Sequence, residues 1–178
     1  MRPAGYGTLY GSGSRYGVTF AAYTDGPFEP EVLGGPTMRF LVLSRERVAR
    51  VMPNVPYLVI SITDPDKPPA AIARNPLCMG LLRLAFDDLD TEITGLVAPA
   101  QHHADEIARF VREHLSQVDL IVTQCEAGIS RSSGIAAALS RWLNGDDDEF
   151  FQRYIPNRRI YRLIRRALGD DAVMLPRD

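Results

Sequence analysis

The chain of 178 residues contains two cysteines, one tryptophan and a single lysine, Lys67, among its twenty basic residues. Two cysteines cannot form the disulfide framework of a small secreted domain and are compatible with a reducing cytoplasm. The net charge of −2 lacks the basic surplus of a nucleic-acid-binding protein. No apolar stretch is long enough to cross a bilayer, and no signal peptide is visible. We therefore expect a cytoplasmic protein without nucleic-acid or membrane partners.

Residues 1–37 differ in composition from the rest of the chain. They hold eight of the fourteen glycines and four of the seven tyrosines, without a sustained helical or strand period. This composition predicts a flexible extension, in which residues 18–23 are the candidate for a short strand. We therefore divide the chain into an N-terminal extension at 1–37, a folded domain at 38–170 and a C-terminal tail at 171–178.

From residue 38 onward, strand and helix patterns alternate along the chain. Strands are predicted at 38–43, 57–62, 79–86 and 119–124, and helices at 45–52, 99–115, 132–143, 147–154 and 158–168, with a helical turn at 70–74. Alternation with short connections predicts an α/β fold, with a mainly parallel central sheet flanked by helices. Such folds bind ligands at the carboxyl ends of their strands, and Cys125 falls at such an end.

The most informative segment runs from Cys125 to Ser132 and reads Cys-Glu-Ala-Gly-Ile-Ser-Arg-Ser. A strand, a tight loop and a helix N-terminus in succession direct backbone N–H groups and the positive end of the helix dipole toward one point. A thiol beside such a cradle ionises more easily than a free thiol, and an arginine can bind two oxygens of a phosphate. The spacing predicts a nucleophile, Cys125, and an oxyanion clamp, Arg131. The alternative is a structural cysteine with Arg131 on a helix surface.

The segment resembles the signature loop of the cysteine-dependent protein tyrosine phosphatases, H-C-x-x-G-x-x-R-S/T. Its Ala-Gly-Ile-Ser-Arg-Ser core is most similar to the dual-specificity branch, and the resemblance, over residues 38–168, is closest to a group of predicted bacterial tyrosine phosphatases. It implies a protein tyrosine phosphatase-like fold, with the loop between a strand and a buried helix. One position departs from the motif: Gln124 replaces the histidine that orders the loop and keeps the thiol ionised in the family.

The resemblance implies a role for each residue of this loop. Cys125 is the expected nucleophile, and Ser132 is expected to stabilise it as a leaving thiolate, although an ordinary helix cap is an alternative compatible with that role. Phosphate is expected to bind the Arg131 fork and the backbone of the loop. The residues of this phosphate-binding loop are Glu126, Ala127, Gly128, Ile129, Ser130 and Arg131. Neither a metal nor an organic cofactor is implied.

A phosphatase of this type also needs an acid that protonates the leaving oxygen. A cluster of carboxylates follows the strand predicted at 79–86. By resemblance Asp88 matches the general acid of the family, with Asp87 as the second candidate and Asp90 as the third. A solvated acidic turn is the alternative. The separation from Cys125 is longer than usual in the family, which predicts an insertion between Asp90 and Pro99.

The second cysteine and the histidines favour structural interpretations. Cys78 is flanked by apolar residues and is predicted to lie in the core, although some relatives form a protective disulfide between the nucleophile and a second cysteine. His102, His103 and His114 are predicted to be surface residues, because no third metal ligand occurs at a suitable spacing.

An acidic loop and an arginine-rich helix are two further charged segments of the sequence. Asp64 and Asp66, after the strand at 57–62, are candidates for the rim of the site. The last helix is predicted to carry an arginine face opposite an apolar face, with docking of an acidic partner as the alternative. The arginines of this face are Arg158, Arg159, Arg162, Arg165 and Arg166.

Together these features predict a phosphomonoester hydrolase that acts through a phosphocysteine intermediate. The expected substrate is phosphotyrosine, a mixed phosphoprotein or a small phosphomonoester. Phosphoinositide-directed relatives tend to carry lysines in the loop, whereas Glu126 is expected to repel a highly phosphorylated head group. A sulfurtransferase-type cysteine enzyme and a non-catalytic phosphate-binding pseudophosphatase are the alternatives, and Gln124 gives weight to the second.

Overall fold

The computed structural model describes residues 33–34 and 38–170. Within them the strands are β1 (Leu33–Gly34), β2 (Arg39–Ser44), β3 (Tyr57–Thr63), β4 (Cys78–Ala85) and β5 (Leu120–Cys125). The helices are α1 (Arg45–Val48), α2 (Gln101–His114), α3 (Arg131–Asn144), α4 (Asp148–Arg153) and α5 (Arg158–Ala167), and a 3-10 turn at Leu115–Gln117 follows α2. The strand predicted at 18–23 and the tail at 171–178 lie outside the described residues.

The strands form one sheet in the order β1-β2-β5-β3-β4. The pairs β2–β5, β5–β3 and β3–β4 are parallel, and β1 is antiparallel to β2. This arrangement confirms the predicted mainly parallel sheet flanked by helices. Leu33 and Gly34, which the composition placed in the N-terminal extension, pair with β2 and belong to the sheet.

The central strands β3 and β5 are buried at every position. A mostly apolar sequence is typical of a strand that is covered on both faces, because each successive side chain points toward a packed layer. One face of the sheet packs against α2, α3, α4 and α5, and the other packs against α1 and the β3–β4 connection. Helix α3 is buried from Arg131 to Ser140 and confirms the predicted buried central helix. None of the described helices is long and apolar enough to cross a bilayer.

Two local predictions were wrong. The first helix ends at Val48, four residues before its predicted end. Residues 70–74 form no helix despite their alanines. Ala70 is buried, and its carbonyl accepts a hydrogen bond from Arg83 Nη1 at 2.9 Å. A tertiary contact thus overrides the modest helix propensity of this short segment.

The predicted arginine face of α5 is also wrong in part. Arg165 is buried and bonds the hydroxyl of Tyr161, while Arg159 is half-buried against the β4–α2 loop. The exposed arginines of the helix are Arg158, Arg162 and Arg166. The arginines therefore divide between solvent and two sets of internal contacts.

Candidate active site

Cys125 is the last residue of β5, and Arg131 is the first residue of α3. Residues 125–131 form the signature loop at the carboxyl end of a strand that lies between β2 and β3. Ser44, which ends β2, is the register partner of Cys125. The loop therefore lies at the middle of the sheet edge where the parallel strands end, as expected for a ligand site of this fold class.

Glycine is required at position 128 because the loop passes close to the end of β2. Gly128 has a φ of 71°. A Cβ atom at this position would lie 2.5 Å from Ser44 N and 2.6 Å from the carbonyl carbon of Leu43. Any side chain would force the loop away from the sheet, so this glycine determines its curvature.

The backbone of the loop has free donors. Among the described residues, no N–H group of positions 126–130 donates a hydrogen bond to another protein group. The loop also leads directly into the N-terminus of a 14-residue helix. Unpaired N–H groups next to the positive end of a helix dipole are suited to bind an anion.

The sulfur of Cys125 lies beside a hydroxyl group. Its Sγ is 3.0 Å from Ser132 Oγ, and both residues are almost completely buried. A serine hydroxyl can donate a hydrogen bond to a thiolate. The structure thus brings together the two residues that sequence resemblance paired as nucleophile and leaving-group stabiliser.

The guanidinium of Arg131 is buried and fixed on one nitrogen. Its side chain is 5 % exposed, and Nη1 lies 2.7 Å from both Phe86 O and Asp64 Oδ1. Its Nε has no hydrogen-bond partner among the described residues. A buried donor without an acceptor is unfavourable, so an anion that accepts a hydrogen bond from Nε would satisfy this group.

A chain of ion pairs connects the guanidinium to the rim of the site. Asp64 contacts Lys67 at 2.7 Å as well as Arg131, and Glu126 makes two 2.8 Å contacts with Arg45. Burial acts to raise the pKa of Asp64, but hydrogen bonds from Lys67 and Arg131 outweigh it and lower that pKa. The hydrogen bond from Arg45 lowers the pKa of Glu126 despite burial. Both carboxylates are therefore stabilised as anions.

These pairs change the interpretation of Glu126. Its carboxylate is balanced by the bidentate contact with Arg45, and Lys67 Nζ lies 3.9 Å from Oε2. Glu126 therefore does not present an unpaired negative charge to an anionic ligand. The predicted repulsion of a highly phosphorylated head group has no support from this geometry.

Asp88 approaches the signature loop from the β4–α2 connection. Its Oδ1 accepts hydrogen bonds from Ser130 Oγ and from Asn157 Nδ2, each at 2.8 Å. The residue is otherwise exposed. A carboxylate is thus held against the loop that contains Cys125.

The two other acid candidates have different contacts. Asp87 accepts a hydrogen bond from Val97 N at 2.7 Å and donates its own N–H to Val97 O at 2.7 Å. Asp90 accepts a hydrogen bond from Arg159 N at 3.0 Å. Asp87 therefore closes the β4–α2 loop on itself, and Asp90 attaches it to α5.

No family model and no curated protein matches this sequence. Solved structures do match. A mouse protein assigned as a dual-specificity phosphatase and complexed with zinc tungstate superposes with a TM-score of 0.50 at 15% identity, over 82% of this chain and 91% of its own. Human DUSP28 superposes with a TM-score of 0.47 at 16% identity, over 75% of this chain and 92% of its own. The Yvh1 phosphatase domain from Chaetomium thermophilum superposes with a TM-score of 0.48 at 15% identity, over 80% of this chain and 98% of its own.

The chain has the dual-specificity phosphatase fold. This confirms the fold that was expected from the motif around Cys125. At 15% identity the likeness concerns the fold, and the chemistry must be argued from the residues of this chain.

Gln124 occupies a buried position next to the loop. It is 0% exposed, and its Oε1 accepts a hydrogen bond from Ser61 Oγ at 2.6 Å across the β3–β5 pair. Its Nε2 has no partner within the described part of the chain. Because side chains alternate along a strand, Gln124 and Cys125 point to opposite faces of the sheet. Gln124 therefore joins two strands below the loop without adding a charge.

Cys78 lies too far from Cys125 to form a disulfide. It begins β4, and the register of Tyr57 with both Cys78 and Leu120 places Cys78 level with the start of β5. The five residues from Leu120 to Cys125 add about 16 Å of strand rise, whereas a disulfide needs Cα atoms within roughly 7 Å. Cys78 is half-buried, and this burial raises the pKa of its thiol.

The histidine prediction holds only in part. His102 is exposed and His114 is half-buried, but His103 is 7% exposed and packs against Phe86 with ring centroids 4.9 Å apart. Its Nδ1 accepts a hydrogen bond from Ala100 N at 3.1 Å. His103 is therefore an internal part of the α2 N-terminus rather than a surface residue.

The contacts of two residues near the site were not predicted from the sequence. Asp64 was named only as a rim candidate, whereas it contacts Arg131 directly. Asn157 was not named at all, and it bonds Asp88. The one local signal for Asn157 was its place after Pro156 and before a helical pattern, which is typical of an N-cap.

Proposed function

We propose that the protein is a cysteine-dependent phosphatase that hydrolyses phosphomonoesters through a phosphocysteine intermediate. The observation that carries this proposal is the pair of buried groups at the two ends of one loop. Cys125 lies 3.0 Å from the Ser132 hydroxyl, and Arg131 is fixed through Nη1 while its Nε is unpartnered in the described structure. In this proposal Cys125 is the nucleophile and Arg131 is the oxyanion clamp, and the two belong to one preorganised element.

Binding uses groups that the fold leaves free. The non-bridging oxygens of the phosphate accept hydrogen bonds from the backbone N–H groups of Glu126 to Arg131 and from the Arg131 guanidinium. Asp64 and Phe86 hold Nη1 so that the guanidinium is oriented before the ligand arrives. Little reorganisation is then needed when charge develops in the transition state.

The first chemical step transfers the phosphoryl group to sulfur. The Cys125 thiolate attacks phosphorus in line with the ester oxygen, the S–P bond forms, and the P–O bond to the leaving group breaks. Asp88 donates its proton to the departing oxygen, so an alcohol or phenol leaves and Asp88 becomes a carboxylate. The products of this step are phosphocysteine and the free hydroxyl compound.

The second step hydrolyses the intermediate. The Asp88 carboxylate removes a proton from water as the water oxygen attacks phosphorus, and the S–P bond breaks. The Ser132 hydroxyl donates a hydrogen bond to the sulfur, which stabilises the departing thiolate. Inorganic phosphate leaves, and both Cys125 and Asp88 return to their starting protonation states.

The substrate that fits this site best is phosphotyrosine or a phosphoprotein with mixed sites. Ile129 is 46% exposed on the loop, and Ile155 is 76% exposed. Asn157 N donates a hydrogen bond to Ser130 O at 3.1 Å, which brings the segment of Ile155 alongside the loop. Apolar side chains at the rim favour an aromatic leaving group over a highly charged one.

The test is hydrolysis of 4-nitrophenyl phosphate and of phosphotyrosine and phosphoserine peptides by the wild type and by Cys125→Ser. Cys78→Ser is the matched control, because it changes the other cysteine away from the site. We expect the wild type and Cys78→Ser to be active and to be inhibited by vanadate, and Cys125→Ser to be inactive. Unchanged activity of Cys125→Ser would contradict the proposal.

One alternative is a pseudophosphatase that binds phosphate without turnover. It is favoured by Gln124, which replaces the histidine of the motif and cannot carry a positive charge. The mouse structure of this fold contains zinc tungstate, so tungstate is a suitable probe. Tungstate binding without hydrolysis of any phosphate ester would support this alternative.

The other alternative is a sulfurtransferase. That activity needs neither a hydroxyl beside the cysteine nor an acid, so it does not explain the Ser132 and Asp88 contacts. Transfer of sulfur from thiosulfate to cyanide, measured beside phosphate release, separates the two activities.

A further inference from the structure

Asn157 lies at the junction of the β4–α2 loop, the signature loop and α5. It is 4% exposed, and its Nδ2 donates hydrogen bonds to Asp88 Oδ1 at 2.8 Å and to Leu89 O at 3.2 Å. An amide nitrogen has two hydrogens, so both donors of this side chain are used on the segment that carries Asp88.

The rest of Asn157 is fixed as firmly as its amide nitrogen. Its Oδ1 accepts a hydrogen bond from Ile160 N at 3.0 Å and thereby caps α5, and its backbone N–H donates to Ser130 O at 3.1 Å. A Cβ atom at Gly134 would lie 2.7 Å from Asn157 O, so this backbone packs directly against α3. The amide therefore has a defined position relative to the helix that begins at Arg131.

Both donors to Asp88 converge on one of its oxygens. Ser130 Oγ and Asn157 Nδ2 both donate to Oδ1, and the Asp88 side chain makes no other hydrogen bond or ion pair among the described residues. This leaves Oδ2 to carry the proton that is transferred. The two donors also stabilise the negative charge that remains on the carboxylate when that proton leaves.

We propose that Asn157 is a positioning residue that holds Asp88 against the signature loop and directs Oδ2 toward the leaving oxygen, with Ser130 as the second donor. This inference rests on the proposed function, in which Asp88 is the proton donor. Asn157 touches neither the substrate nor the reacting atoms and acts through Asp88.

The test separates positioning from helix capping. Asn157→Ser and Asn157→Asp each retain a side-chain oxygen that can cap α5, and both lose the amide donor to Asp88. Hydrolysis is measured with 4-nitrophenyl phosphate, whose leaving group needs little protonation, and with phenyl phosphate, whose leaving group is nearly as basic as a tyrosine side chain.

We expect Asn157→Ser to change kcat for 4-nitrophenyl phosphate by less than about threefold. It should lower kcat for phenyl phosphate by roughly 10- to 100-fold, which is part of the ~10²–10⁴-fold that a placed general acid contributes. Asp88→Ala should show the same dependence on the leaving group with a larger loss. Glu92→Ala, an exposed change in the same loop, is the control and should leave both rates unchanged.

Equal losses on both substrates, or no loss on either, in Asn157→Ser would overturn the positioning role and leave a purely structural one. An Asp88→Ala variant without dependence on the leaving group would instead refute Asp88 as the acid, and the inference with it. Inactivity of the wild type toward both esters would refute the proposed function itself. The three failures are therefore distinguishable.

Discussion

Asp64 Oδ1 lies 2.7 Å from Arg131 Nη1, although one residue follows β3 and the other begins α3. The Arg131 side chain is 5% exposed, whereas the Asp64 side chain is 22% exposed. A buried guanidinium needs a compensating charge, and Asp64 supplies it on the side that Phe86 O also contacts. The orientation of the Arg131 guanidinium therefore depends on a residue outside the signature loop.

Asp64→Ala should lower kcat/KM. A hydrogen bond to a charged group contributes roughly 1.5–3 kcal/mol, which corresponds to a loss of about 10- to 100-fold if it is expressed fully in the transition state. Asp64→Asn should lose less, because its amide oxygen can still accept from Arg131. The measurement is steady-state kinetics with 4-nitrophenyl phosphate.

Asp66→Ala is the control for this change, since Asp66 lies two residues away in the same exposed loop. It should leave kcat/KM unchanged. Tighter vanadate binding and faster turnover in Asp64→Ala would contradict the account, because they would mean that the negative charge of Asp64 hinders the anion more than its contact orients Arg131.

Gly128→Ala should disrupt the loop more than the same change at Gly145. Both glycines have positive φ, 71° and 76°, but a Cβ atom at Gly145 has nothing within 4 Å while one at Gly128 meets Ser44 N at 2.5 Å. We expect Gly145→Ala to cost about 1–2 kcal/mol of unfolding free energy and to retain activity. Gly128→Ala should cost more and abolish most of the activity.

Urea denaturation and phosphatase assays on both variants check this comparison. The two glycines have nearly the same φ, so a difference between the two variants measures the effect of steric contact rather than of backbone conformation. Equal destabilisation with full activity in Gly128→Ala would mean that the loop can move away from β2 without consequence.

His103 should make the stability of the protein depend on pH. Burial, with a smaller contribution from His102, lowers the pKa of His103 from 6.5 to about 4. The unfolded chain therefore binds more protons than the folded chain between these values. The free energy of unfolding is therefore highest above pH 6.5, and it decreases as the pH falls toward 4.

His103→Gln should remove this dependence, because glutamine can still accept the hydrogen bond from Ala100 N but does not titrate. Between pH 6.5 and pH 4.5 the wild type should lose about 1–3 kcal/mol more unfolding free energy than the variant. Urea denaturation across this range, with the exposed His102→Gln as control, makes the measurement. Parallel curves for the wild type and His103→Gln would exclude His103 as the cause.

Cys78→Ser should leave both activity and sensitivity to peroxide unchanged. The register of β3 with β4 and β5 places Cys78 at the opposite end of the sheet from Cys125. Peptide mapping of the oxidised wild type should therefore contain no Cys78–Cys125 disulfide. Detection of that disulfide in the folded protein would contradict the strand register.

The sequence was sufficient to predict most of the fold because its signals are local. Apolar runs marked β3 and β5, and the glycine and serine pattern after Cys125 marked the turn into α3. The segment at 70–74 was mispredicted because its conformation depends on Arg83, which lies in a neighbouring strand. Propensity within a short window does not contain that information.

The same distinction applies to the site. Cys125, Arg131 and Ser132 could be predicted as candidates because they lie within eight consecutive positions of one motif. The contacts of Asp64 with Arg131 and of Asn157 with Asp88 each join residues more than 60 positions apart. No periodicity or local motif predicts such contacts, because they form only when the strands pair in the sheet.

The most direct test of the account is to identify the residue that carries the phosphoryl group during turnover. Ser132→Ala should slow breakdown of the intermediate, because Ser132 Oγ lies 3.0 Å from the sulfur that must leave. The variant is mixed with 4-nitrophenyl phosphate, quenched in acid within the first turnovers and analysed by mass spectrometry. The account predicts one phosphoryl group on the peptide that contains Cys125. A phosphoryl group on any other residue, or phosphate release with Cys125 unmodified throughout, would contradict it.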